Sequence, residues 1–73
     1  MKICAPFAGI VRYKVSQGDA VTTGQELASV EATKLEAPII APGPGIVAEI
    51  TSNDFDDVVG GDILLRVVSQ EKP

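Results

Sequence analysis

The sequence predicts an all-β fold made of two similar halves closed on each other, and three observations carry that prediction. First, Val supplies 9 and Ile 7 of the 73 residues, against 4 Leu and three aromatic side chains in all. β-Branched side chains are stiff at χ1 and pack well on a pleated surface, so this composition favours strands over helices. Second, the chain is nearly written twice. Ala5-Pro6-Phe7-Ala8-Gly9-Ile10-Val11 matches Ala41-Pro42-Gly43-Pro44-Gly45-Ile46-Val47 at five of seven positions with an offset of 36, and Val21 to Leu27 aligns with Val58 to Leu64 at an offset of 37. The second half therefore carries one extra residue in its middle. Third, turn formers punctuate both halves at corresponding places. A repeat of roughly 35 residues is too small to hide its apolar face alone, so the halves must pack on each other. In so small a chain apolar burial roughly offsets conformational entropy, which favours a closed or sandwiched sheet without exposed edges.

In chain order, Pro6 and Pro42 lack an N–H and fix φ, which suits strand ends or edges, and Gly9 and Gly45 open the strands that follow. Gly9 to Val15 and Gly45 to Thr51 are the long β-branched runs. Gly18-Asp19 and Asp56-Asp57 read as surface turns, with Gly24 and Gly60-Gly61 closing the next loops before strands at Leu27 and Ile63. Gln25 to Ala37, rich in Ala, Leu, Glu and Lys, reads locally as helix. Its counterpart, Asp62 to Ser69, carries ILLRVV, a strand, and the repeat decides the conflict. With Leu27 to Glu31 and Leu35 to Ile40 as strands, Ala32-Thr33-Lys34 becomes the tip of a hairpin joining the halves. Residues 1–73 form one domain in this reading, with 69–73 a flexible tail.

Composition excludes several kinds of chemistry. The chain has 10 acidic and 6 basic residues, a formal net charge of −4, no His and one Cys. Without His and with Cys4 alone there is no His acid/base pair, no Cys/His zinc site and no internal disulfide. Acidity argues against nucleic-acid binding, which needs clustered Lys and Arg. No segment approaches the ~18–20 apolar residues of a membrane span, and no secretory leader is evident. The expectation is a cytoplasmic chain that does not insert into a membrane, with Cys4 buried as a small hydrophobe beside the first strand. A non-catalytic binding, structural or carrier role remains.

Lys34 is the residue that stands out, flanked by Glu31, Ala32, Thr33, Leu35 and Glu36. By position alone it reads as a solvated lysine with weak ion pairs to the two glutamates, worth ~0–1 kcal/mol. An ordinary lysine, with pKa about 10.4, is a free amine in about one molecule in 2,500 at pH 7, which argues against a self-sufficient nucleophile. A lysine modified by another enzyme needs something else: protrusion, a fixed backbone and readable flanks. A hairpin tip supplies all three.

The segment EATKLE resembles the E-A-M-K-M-E signature of biotin carboxyl carrier domains. A-P-x-x-G-x-V before it, G-D-x-V-x-x-G-Q-x-L between, and A-P-x-x-G-x-V after it extend the resemblance from about Ile3 to Val68. It implies a flattened β-barrel, a barrel-sandwich hybrid of two four-stranded antiparallel sheets with pseudo-twofold symmetry. It also implies biotin attached through an amide to Lys34, with Glu31, Ala32, Thr33, Leu35 and Glu36 as the recognition flank. The implied partners are a biotin ligase, a biotin carboxylase and a carboxyltransferase, between which the carrier moves carboxybiotin. Thr33 and Leu35 depart from the family's usual methionines, and the lack of an insertion in the first half implies no protruding thumb. The alternative is a lipoyl carrier of a 2-oxo-acid dehydrogenase-type complex, with lipoate on the same lysine. That family's D-K-A pattern is absent around Lys34.

Overall fold

In the computed structural model, which describes Met1–Ser69, every regular element is a strand: β1 (Lys2–Cys4), β2 (Gly9–Tyr13), β3 (Ala20–Val21), β4 (Glu26–Glu31), β5 (Glu36–Ile40), β6 (Gly45–Ile50), β7 (Asp57–Val58) and β8 (Ile63–Val68). Apart from Ser69, the expected tail lies outside the described residues. The strands form two four-stranded sheets, ordered β1-β8-β6-β3 and β5-β4-β2-β7, with all pairings antiparallel. Advancing each strand by four positions in the chain, cyclically, turns one order into the other, which is the pseudo-twofold that the repeat predicts. No helix among the described residues is long and apolar enough to cross a membrane.

The repeat extends to single hydrogen bonds. Gly18 N–H donates to the Val47 carbonyl at 2.8 Å and Val47 N–H to Asp19 at 2.9 Å; in the other half Phe55 donates to Val11 at 2.7 Å and Val11 to Asp56 at 3.0 Å. A second reciprocal pair links Gly24 and Gln25 to Ala41, and its counterpart links Gly61 and Asp62 to Ala5. Part of the acidic excess closes turns. Carboxylate oxygens of Asp19, Asp56 and Asp62 each accept an N–H three residues upstream, from Ser16, Asn53 and Val59, at 2.8–3.0 Å. These side chains replace a backbone partner, a role suited to short acidic residues in turns.

The one-residue excess of the second half has a definite place. β2 pairs with β4 without interruption from Ile10 to Tyr13, whereas the equivalent β6–β8 register shifts between Val47 and Glu49. Ala48 is the extra residue, absorbed as a β-bulge.

Between the sheets, equivalent residues from the two halves meet in an aliphatic core: Val11 and Val47, Leu27 and Leu64, Ala28 and Leu65, Val30 and Val67 are all at most 1 % exposed. The strand reading of residues 27–31 is confirmed despite their helical propensity, because four successive buried positions, Leu27 to Val30, are satisfied between neighbours on both sides. Tertiary burial outweighs the few tenths of a kcal/mol per residue at stake in propensity.

Two expectations need correction. Cys4 is exposed rather than buried: β1 alternates, Ile3 takes the inward position, and Cys4 points out like its counterpart Ile40. The second acidic turn centres on Asp54-Phe55, not Asp56-Asp57, and Asp57 already belongs to β7. The reason lies in Phe55, which adopts φ 68° where the equivalent Gly18 has φ 93°.

Candidate functional site

The β4–β5 connection is four residues long. Glu31 and Glu36 are the last paired residues of the two strands, and Ala32 N–H donates to the Leu35 carbonyl at 2.8 Å, closing the turn. No residue of this turn has positive φ, so it needs no glycine, in keeping with a four-residue hairpin loop built on right-handed conformations. Ala32 is half-buried, while Thr33, Lys34 and Leu35 are exposed. The sequence-predicted flank is thus brought together as one hairpin end, with the Lys34 amine projecting from its tip.

The weak ion pairs expected between Lys34 and the glutamates are not formed among the described residues. Glu31 instead accepts from Arg12 Nη1 at 3.3 Å. Both partners are about half exposed, so the pair adds at most ~1 kcal/mol.

Strand register places further residues beside the hairpin. Glu31 sits opposite Glu36 on one side and Ile10 on the other, and Ile10 sits opposite Asp57. Directly opposed residues share a face, so Glu36, Glu31, Ile10 and Asp57 form one row across all four strands of this sheet, immediately below the turn. Next to the row, Ala8, Gly9 and Ile10 floor a groove of about 620 Å³, with Ala32 and Thr33 of the hairpin at one side and Phe55 at the other. The Arg12 guanidinium lies 5.3 Å from the centroid of the Phe55 ring.

Arg12, Phe55 and Asp57 are missed by a reading of the sequence confined to the neighbourhood of Lys34. The repeat held the signal, since an offset of 37 sets Phe55 against Gly18. An aromatic residue in a turn where the sister half uses glycine marks an asymmetry between halves.

No group of three or more Asp, Glu, Cys or His side chains could hold a metal ion among the described residues. The exposed hairpin offers one primary amine, clear of carboxylates, which suits an amide link to a carboxylic acid such as biotin or lipoate.

Known proteins resemble this chain in sequence and in fold. A family model described as "Biotin-requiring enzyme" matches residues 1–67. The chain is 38 % identical over 68 residues to the biotin/lipoyl attachment protein of Bacillus subtilis, covering 92 % of this chain and 93 % of that one. It is 36 % identical over 58 residues to pyruvate carboxylase of Staphylococcus aureus, covering 80 % of this chain but 5 % of the carboxylase. In fold it matches the lipoyl domain of the 2-oxoglutarate dehydrogenase complex from Azotobacter vinelandii with a TM-score of 0.73 at 23 % identity, over 89 % of this chain and 82 % of that domain.

Proposed function

This chain belongs to the biotin/lipoyl attachment family, and on that premise we propose that it is a biotin carboxyl carrier, with the cofactor joined to Lys34. The observation that carries the reading is the hairpin itself: a four-residue turn, closed by the Ala32–Leu35 hydrogen bond, presents an exposed lysine at the boundary between two symmetric halves. Fold does not separate biotin from lipoate, because the lipoyl domain shares it. The flank does favour biotin: Glu31-Ala32 before Lys34 and Glu36 after it stand as in the resembled carrier signature, and the matched carboxylase supports the same choice.

Bound biotin supplies a ureido nitrogen that takes up and releases a carboxyl group. What the chain does is present it. β4 and β5, each paired to its neighbours, fix the base of the hairpin, and a cofactor tethered there meets each partner site at a high effective concentration without free diffusion. The partners in this reading are a biotin ligase that loads Lys34, then a biotin carboxylase and a carboxyltransferase. The chain contributes no acid or base to their chemistry, and residues 1–73 act as one carrier domain.

Loading converts the Lys34 ammonium into an uncharged amide and moves the formal charge from −4 to −5. Co-expression with a biotin ligase, followed by intact mass and streptavidin capture, tests the proposal. Wild type is expected to gain one biotin and be captured, and Lys34→Ala is not. Lipoylation in place of biotin, or capture of Lys34→Ala, would overturn it.

A further inference from the structure

We infer that the groove beside the hairpin is the docking site of the enzyme that modifies Lys34, and that this enzyme fills it with an apolar side chain beside a basic group. The inference rests on the reading of Lys34 as the attachment point, and three independent observations support it.

The first is Phe55. It is 62 % exposed and lies at φ 68°, a backbone region that bulky residues rarely occupy. Gly18, at the same place in the other half, meets the same backbone demand at no steric cost. Folding alone therefore favours glycine at position 55. The ring gains a surface contact with Arg12, yet most of it faces solvent as the wall of the groove. A large rigid aromatic held open at the edge of a concave surface is the kind of residue that anchors an interface.

The second observation is charge. In the row, Ile10 lies between Glu31 and Asp57, and both carboxylates line the groove. Arg12, which also lines the groove, engages Glu31, whereas Asp57 has no ion-pair partner among the described residues. An apolar floor with an unpaired carboxylate at its edge complements an apolar side chain beside a lysine or arginine.

The third is proximity. Ala32 and Thr33 line the groove, so it begins one residue from Lys34. An enzyme forming a bond at Lys34 Nζ must close on the hairpin itself. Enzymes acting on the far end of an attached cofactor can reach it without touching the groove, which favours the loading enzyme as its occupant.

The test is steady-state loading of the whole chain by a biotin ligase, with Phe55→Gly, Phe55→Asn and Asp57→Asn as variants, alongside NMR titration of unloaded wild type with the ligase in the absence of ATP and biotin. Glycine and asparagine both accept positive φ, so the variants are expected to melt within a few degrees of wild type. For the Phe55 variants KM for the carrier should rise about tenfold with kcat little changed. Asp57→Asn should raise KM about threefold and weaken its dependence on salt. In the titration, the amide signals of Ile10, Phe55 and Asp57 should move. An unchanged KM for folded Phe55→Gly, or signals that move only at 32–36, overturns the groove while leaving Lys34 as the attachment site. Failure of the ligase to load wild type overturns both readings.

Discussion

Gly9 lies against the carbonyl of Glu31 so closely that a β-carbon at position 9 would collide with it, and Gly45 stands in the same relation to Val68. The obstacle in each case is backbone held in a sheet, which cannot move aside as a flexible side chain would. Gly9→Ala and Gly45→Ala are each expected to cost ~1–3 kcal/mol in chemical denaturation. Only the first displaces the strand end that carries the hairpin. Loading of Lys34 should therefore slow in Gly9→Ala and stay near the wild-type rate in Gly45→Ala, measured where both are folded.

Tyr13 ties the two sheets together. From β2 its hydroxyl donates to the Leu64 carbonyl of β8 at 2.9 Å and lies 2.6 Å from Ser52 Oγ. Burial pushes its pKa above the ordinary 10.0, and the nearby Asp56 and Asp54 charges add to this, while the hydrogen bonding with Ser52 opposes it. The neutral phenol is thus favoured in the folded state. Its contribution to stability is fully present below pH 10 and is lost as pH rises through the elevated folded value, because the unfolded chain ionises first. Denaturation midpoints should fall above pH 10 in wild type and less steeply in Tyr13→Phe, which should also lose ~0.5–1.5 kcal/mol at neutral pH.

The repeat made most of this architecture legible. It identified two equivalent halves, overruled the helical propensity of residues 25–37, and placed Lys34 on a hairpin, because burial on matching faces is a stronger constraint than local preference. The extra residue was visible as a change of offset, though only strand register shows that it is Ala48. What sequence reading missed depends on lateral neighbours. The row from Glu36 to Asp57 joins strands distant in the chain, and Phe55 was hidden beside two aspartates that read as the turn. Cys4 was misplaced because a three-residue strand gives too short an alternation to fix which side faces in.

Glu31 and Glu36 face each other across the last pair of the β4–β5 ladder, a like-charge juxtaposition that Arg12 relieves. Glu36→Gln removes it and is expected to raise stability by ~0.2–1 kcal/mol. The gain should shrink in high salt, since both carboxylates are accessible to counterions. The same substitution alters the recognition flank of Lys34, outside the groove lining. Thermal melts and loading kinetics should therefore move in opposite senses: a higher midpoint with a higher KM for the ligase.

Thr33 offers a test in the other direction. It stands where the resembled signature has methionine, at an exposed turn position lining the groove. Because it is exposed, Thr33→Met should leave stability within about 0.5 kcal/mol of wild type. A ligase closing over the hairpin, however, would bury the longer side chain, and each additional buried methylene contributes ~0.8 kcal/mol. Loading should show KM lowered by roughly threefold to fivefold with kcat little altered, since Lys34 and the closure of its turn through backbone atoms of Ala32 and Leu35 are untouched. A drop in kcat without a change in KM would instead mean that residue 33 governs how Lys34 is aimed, and that the contact between ligase and hairpin lies on the Leu35 side.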